Sequence, residues 1–194
     1  MVEPDPARTR VREKRQLMSA SEIDRTLMRL AHEIAERNNG ADDVIFLGIR
    51  RRGVPLAERL AKKLSEIESA HPRVATLDIT FYRDDLSTID RKPVVRENLL
   101  PFSLQAKTVI LVDDVLYTGR TTRAALDAIV EHGRPRRVEL AVLIDRGHRE
   151  LPIQADYVGR RVETTDDEVI EVRLREVDGE ERVMLCERVA ADSK

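Results

Sequence analysis

The run Val109-Ile110-Leu111-Val112-Asp113-Asp114-Val115-Leu116-Tyr117-Thr118-Gly119-Arg120-Thr121 sets two carboxylates a few residues ahead of a loop of glycine and hydroxyl groups. Its four leading apolar residues, three of them β-branched, read as a strand buried on both faces, as in parallel sheets. Ligands of open α/β sheets settle outside the carboxyl ends of the strands. The amides of a glycine-containing loop that opens a helix bind anions. An acid pair beside such a cradle calls for one ligand that carries a diol or a metal together with a phosphate, as a sugar phosphate does. Taken alone, the acids have a plainer use, because an Asp at a strand end can cap the next helix. The loop is not a Walker A sequence, since no lysine follows a glycine at the required spacing.

Three further clusters carry chemistry. Gly48-Ile49-Arg50-Arg51-Arg52-Gly53 puts three guanidinium groups between a strand and a helix start, where they form either a solvated turn or a phosphate site. Phe81-Tyr82-Arg83-Asp84-Asp85-Leu86 opens a long polar segment interrupted by Pro93 and Pro101, either strand-end chemistry or a lid in which Arg83 meets an anion. Asp145-Arg146-Gly147-His148-Arg149-Glu150-Leu151-Pro152 is too charged for a core, and His148 is either a proton shuttle or a hydrogen-bonded loop residue. His32, His71 and His132 have no metal-ligand spacing among themselves or with Cys186, so no zinc site is expected.

The elements that must position these groups follow from periodicity. Residues 1 to about 16 are polar, hold two prolines and lack periodicity, which predicts a flexible arm. Ser19 and Glu22 predict a capping box ahead of a helix through Ile23, Leu27, Leu30 and Ile34, ended by Gly40. Val44–Ile49, Val74–Tyr82, Val138–Ile144 and Ala155–Val158 read as strands; Leu56 to Ile67 and the stretch through Ala125, Ile129 and Val130 read as helices. Strand–helix alternation predicts an α/β fold with a mostly parallel sheet, in one domain over residues 17–194. A satellite hairpin, about 168–189, is predicted to turn at Asp178-Gly179. The chain has 194 residues and a net charge of −2 with 36% charged residues, which argues against coating by nucleic acid but not against a basic patch. Aromatic residues make up 3% and Trp is absent, so a base-stacking platform of the RNA-recognition-motif type is excluded. A lone cysteine excludes intrachain disulfides, and the absence of an apolar run of bilayer length predicts a cytoplasmic protein without membrane contact.

The thirteen-residue run resembles the phosphoribosyl-pyrophosphate (PRPP) motif of type I phosphoribosyltransferases. Together with GIRRRG, LDITFYRDDLS, GRPRRVELAVLIDRGHRELPI and ADYVG, it resembles the PyrR family of bifunctional pyrimidine operon attenuators and uracil phosphoribosyltransferases, over roughly residues 16–175. The resemblance implies the type I fold, a sheet flanked by helices with a hood at about 145–165. It implies conversion of uracil and PRPP to UMP and diphosphate, with Mg²⁺ carried by PRPP near Asp113 and Asp114 and no metal site of the protein's own. It also implies binding of pyrimidine-operon mRNA, promoted by the uridine nucleotides UMP and UTP, by a homodimer or tetramer.

Carried over residue by residue, Asp113 and Asp114 anchor the ribose hydroxyls, and Asp113, Asp114 and Arg83 are the catalytic set. Val115, Leu116, Tyr117, Thr118, Gly119, Arg120, Thr121 and Thr122 surround the 5′-phosphate, while Arg51, Arg52 and Arg83 meet the pyrophosphate, in a loop where a strained peptide often precedes the paired residues. Tyr157 would stack on uracil, the Val158 main chain would pair with its edge, and Arg146 would donate to a carbonyl. Arg29, His32, Arg149, Arg160 and Arg161 are the RNA candidates. The chain departs from the family at Arg51, where Thr is usual, near Glu163, where Pro is usual, and at Gln154, where a basic residue is expected. A non-catalytic nucleotide sensor and a salvage enzyme for another base are the competing readings.

Overall fold

A computed structural model describes residues 9–80 and 100–190. The chain runs β1 (Thr9–Ser19), α1 (Ala20–Asn38), β2 (Val44–Ile49), α2 (Gly53–Glu68), β3 (Arg73–Leu77), β4 (Thr108–Leu116), α3 (Arg120–His132), β5 (Arg137–Asp145), β6 (Tyr157–Arg161), β7 (Glu168–Arg173), the helical turn α4 (Arg175–Asp178) and β8 (Arg182–Ala190). Strands β3-β2-β4-β5-β6 form a five-stranded sheet in which every pairing is parallel. Strands β1-β8-β7 form a separate antiparallel sheet.

Period-two alternation in β4 feeds two cores. Ile110 and Val112 face a cluster with Ile23, Leu27 and Ile34 of α1 and Leu56, Leu60 and Leu64 of α2; Val109 and Leu111 face one with Ala124, Ala125 and Ala128 of α3. All these side chains are essentially sealed from solvent, and each large aliphatic one contributes about 1.5–3 kcal/mol by leaving water. The capping box on α1 is present: the Ser19 hydroxyl accepts from the Glu22 N–H at 3.4 Å, and the Glu22 carboxylate accepts from the Ser19 N–H at 2.8 Å. Those hydrogen bonds from Ser19 hold the Glu22 carboxyl below its usual range. Asn39, left-handed at φ 53°, ends the helix one residue before Gly40.

Two expectations are corrected. Residues 9–16 are not an arm: they belong to β1, which pairs with β8 along its length from Thr9↔Ala190 to Ser19↔Arg182. Charged side chains clamp that strand, with Arg12 on Glu187 at 2.7 Å, Lys14 on Glu168 at 2.7 Å and Arg182 on Glu13 at 3.0 Å. The terminal hairpin also does not close at a two-residue Asp178-Gly179 turn. A helical turn intervenes, and Gly179 at φ 75° caps it.

At the lower edge of the sheet, Tyr157 anchors a buried polar group. Its hydroxyl donates to Glu139 Oε2 at 2.5 Å, Asn38 Nδ2 donates to the same oxygen at 3.1 Å, and Arg137 Nε lies 2.8 Å from Glu139 Oε1. Tyr157→Phe should lower stability by about 1–2 kcal/mol through the lost hydrogen bond, as read from urea denaturation at neutral pH. Burial, and then the bond to Glu139, push the phenol pKa up. The contribution of the neutral hydroxyl is therefore full below the unfolded value near about 10 and declines as pH rises beyond it, so the stabilities of wild type and variant should converge in alkali.

Candidate active site

Asp113 and Asp114 lie inside β4, whose pairing with β5 continues through Val115↔Ile144 and Leu116↔Asp145. Asp113 is buried, and its Oδ1 accepts the Asp114 N–H at 2.9 Å; Asp114, half-buried, accepts the Val115 N–H at 3.0 Å through Oδ1. These bonds orient both carboxylates from their own backbone. Val115 and Leu116 remain part of the sheet, so the stretch that leaves it is Tyr117–Thr122. Gly119 takes φ 92° at the start of α3, and no side chain caps that helix. Of the first-turn amides, the Arg120 N–H donates to Thr118 Oγ1 at 3.3 Å, and the helix start carries partial positive charge. Thr121 is half-buried and Thr122 buried at that end, while Arg120 pairs with Glu150 at 2.6 Å.

The charged segment after β5 is stitched to this loop. Arg146 N–H donates to Leu116 O at 3.1 Å, and the Glu150 and Leu151 amides donate to Thr118 O at 3.0 and 3.2 Å. Arg149 donates to Tyr117 O at 2.7 Å, Ile153 O at 2.9 Å and Asp145 Oδ1 at 2.6 Å. His148 is the hydrogen-bonded loop residue of the two alternatives, with Nε2 2.6 Å from Thr164 O.

In the turn between β2 and α2, the Arg50–Arg51 peptide is cis. Arg51 is exposed and lines an open cavity of about 450 Å³ with Arg50, Val54, Glu58, Thr76 and Glu176. Gly53 lets α2 start directly against β4. A Cβ there would overlap the Val112 carbonyl oxygen, with Asp113 Cα 3.4 Å away. Arg52 is committed to Asp178, which it reaches with two hydrogen bonds. Arg83 lies outside the described residues, as does most of the segment read as a lid.

The uracil contacts expected from sequence are corrected. Tyr157 is the first residue of β6, away from the carboxyl end, and it is 2% exposed in the core against α1. Val158 sits in the sheet opposite Val142, and its carbonyl accepts from Arg29 at 3.2 Å. Arg146 is 5% exposed and lies over the Tyr117 ring at 4.1 Å. It donates to Thr164 Oγ1 at 3.1 Å, Thr165 O at 3.3 Å and Glu168 O at 2.6 Å. Burial lowers its pKa. Its donors hold the turn after β6, residues 162–165, next to the carboxyl end of that strand. The signal that could have shown this was strand direction, since an aromatic at the start of a parallel strand faces the bottom of the sheet.

Among the RNA candidates, Arg149 is also corrected: its guanidinium is consumed by the loop it braces. Arg29 and Arg160 do converge. They line one open cavity of about 340 Å³ together with Arg25, which sequence reading missed. Arg29 also donates to Gly159 O at 2.7 Å, and Arg160 donates to Leu17 O. His32 and Arg161 are exposed. Among the described residues, no group of three His, Cys, Asp or Glu side chains could hold a metal ion, and no helix is long and apolar enough to cross a membrane.

A parallel sheet with paired acids and an uncapped helix start at its carboxyl edge defines a class. The phosphoribosyl transferase domain profile matches residues 16–176, and the chain is a phosphoribosyltransferase-domain protein. Solved structures agree on the fold. Trypanosoma cruzi hypoxanthine phosphoribosyltransferase gives a TM-score of 0.68 at 16% identity over 91% of this chain and 98% of that one. A Bacillus anthracis hypoxanthine-guanine phosphoribosyltransferase gives 0.67 at 19% identity over 93% and 100%. Sequence relatives are nearer. The bifunctional protein PyrR of Pelotomaculum thermopropionicum is 60% identical over 91% of this chain and 97% of its own. That of Thermus thermophilus is 56% identical over 93% and 100%. The chain belongs to the PyrR family.

Proposed function

We propose that this chain makes UMP and diphosphate from uracil and PRPP, and that it also binds pyrimidine-operon RNA to regulate expression. Support for the first activity rests on one arrangement above the rest: Asp113 and Asp114 stand near the carboxyl end of β4, with only Val115, Leu116 and Tyr117 between them and the loop Thr118–Thr122 that opens α3. The spacing suits a ribose whose hydroxyls meet the carboxylates while its 5′-phosphate meets the first turn of α3. Displacement of pyrophosphate from the anomeric carbon builds positive charge on the sugar ring, which the two carboxylates stabilise. Arg52 and Arg51 take the leaving pyrophosphate, and Arg83 is proposed to join them. The 162–165 turn, held by Arg146, receives the base.

The donor set fits Mg²⁺ brought in by the substrate, because Mg²⁺ is ordinarily held by one or two carboxylates plus substrate phosphates. Asp113 and Asp114 are the residues that would hold it, and it would neutralise charge on the departing diphosphate. The RNA reading is supported by the cavity that Arg25, Arg29 and Arg160 line together; Arg161 and His32 are exposed. A protein with these partners works in the cytoplasm, as a homodimer or tetramer.

Incubation with labelled uracil, PRPP and Mg²⁺ tests the enzyme: UMP should form, hypoxanthine should not react, and no turnover of uracil would remove the first activity. For the RNA, Arg25→Glu with Arg160→Glu should weaken binding in a filter assay and flatten its salt dependence, by about 2 in the log–log slope if each arginine meets one phosphate. UMP synthesis should persist; unchanged RNA affinity would exclude this surface.

A further inference from the structure

Arg52 and Asp178 join the edge of the active site to the small antiparallel sheet. Arg52 Nε and Nη2 donate to the two Asp178 oxygens at 3.0 and 2.7 Å, a fork-to-fork pair between residues 126 positions apart. Asp178 is itself held in place. Its Oδ2 also accepts the Leu174 N–H at 2.9 Å, and its own N–H donates to Leu174 O at 2.7 Å. The linker that carries it is clamped onto α2, where Arg59 reaches Glu176 at 2.7 Å and Glu181 at 2.5 Å. Among the described residues, Arg52 Nη1 has no hydrogen-bond partner. The Asp178 bonds, and after them the charge of Asp114, favour the charged guanidinium.

We propose that Asp178 is a positioning residue for pyrophosphate: it locks one edge of the Arg52 guanidinium and leaves the Nη1 donors for the diphosphate end of the ligand. This rests on the reading of Arg52 given above. A guanidinium is planar, so two bonds to one carboxylate fix its orientation completely. An unpaired arginine would carry more net positive field but would have to be ordered when the ligand arrives. Orientation and field therefore make opposite forecasts for removal of the Asp178 charge, and the structure favours orientation, because Asp178 is itself fixed through Leu174 in a turn clamped onto α2. Through this contact the turn between β7 and β8 becomes part of the proposed active site.

Calorimetric titration of magnesium pyrophosphate into the full chain, with UMP titrated separately, decides the matter. Asp178→Asn is nearly isosteric and keeps an acceptor for Leu174. It should weaken pyrophosphate about tenfold, the scale of a charge-assisted hydrogen bond, and leave UMP affinity unchanged. Asp178→Glu, which keeps the charge, should recover part of the loss. In an Arg52→Ala background, Asp178→Asn should add nothing. If Arg52→Ala leaves pyrophosphate affinity intact, the role of Arg52 falls and this proposal with it. If Arg52→Ala weakens binding while Asp178→Asn is silent or strengthens it, the role of Arg52 stands and Asp178 is no positioner. A matching loss of UMP affinity, or a loss that persists without Arg52, would equally overturn the proposal.

Discussion

Asp113→Asn with Asp114→Asn should lower UMP synthesis by about 10³-fold or more while the melting temperature stays within a few degrees of wild type. Removal of one preorganised electrostatic partner of a transition state ordinarily costs about 10²–10³ in rate, and here two leave together. The fold should tolerate the change. Each carboxylate accepts a neighbouring amide, Asp114 N–H at 2.9 Å and Val115 N–H at 3.0 Å, and an asparagine Oδ1 can accept in its place. What disappears is negative charge at the carboxyl edge of β4, where the sugar ring becomes positive. Initial rates with labelled uracil, set beside a thermal melt, give the answer. Near-wild-type turnover would mean the carboxylates are only backbone caps, the plainer use of a strand-end acid.

Gly53→Ala should do damage of a different kind. A single methyl at Gly53 would collide with the Val112 carbonyl, a backbone atom fixed in the central strand, so α2 must move as a unit. Overpacking of this sort costs about 1–3 kcal/mol and on occasion more. The displacement also carries Arg52, which begins that helix, and Asp113 lies beside the contact. We therefore expect a lower midpoint in denaturant together with a raised KM for PRPP, each measurable on the same preparation. A variant with normal stability and normal KM would show that the close approach of α2 to β4 is not required by the site.

Much of this architecture was readable before any coordinates. A run such as Val109–Val112, apolar on both faces, can hardly be anything but an inner parallel strand, and Ser19 with Glu22 carries its helix start in two side chains. The acid pair and the Thr-Gly-Arg-Thr loop are contiguous, so their placement follows from strand and helix direction alone. The failures share a cause. β1 escaped notice because its partners are the charges of a strand more than 160 residues away, as in Arg182 with Glu13, and its periodicity is hidden among arginines. The family resemblance implies a base role for Tyr157 and Arg146, whereas Glu139 and the carbonyls of Thr165 and Glu168 take up their polar atoms. Arg149 was lost to the RNA face in the same way. Nothing in the local sequence of Arg52 announces Asp178.

The pairing of β1 with β8 bears on how the molecule is made. Thr9 lies opposite Ala190, so β1 meets its partner only across the whole of the parallel sheet's sequence. Until β8 has been made, β1 has no ladder to join, and contacts of such long sequence separation close late. A nascent chain arrested before β8 would therefore hold β1 as an unpaired, highly charged strand.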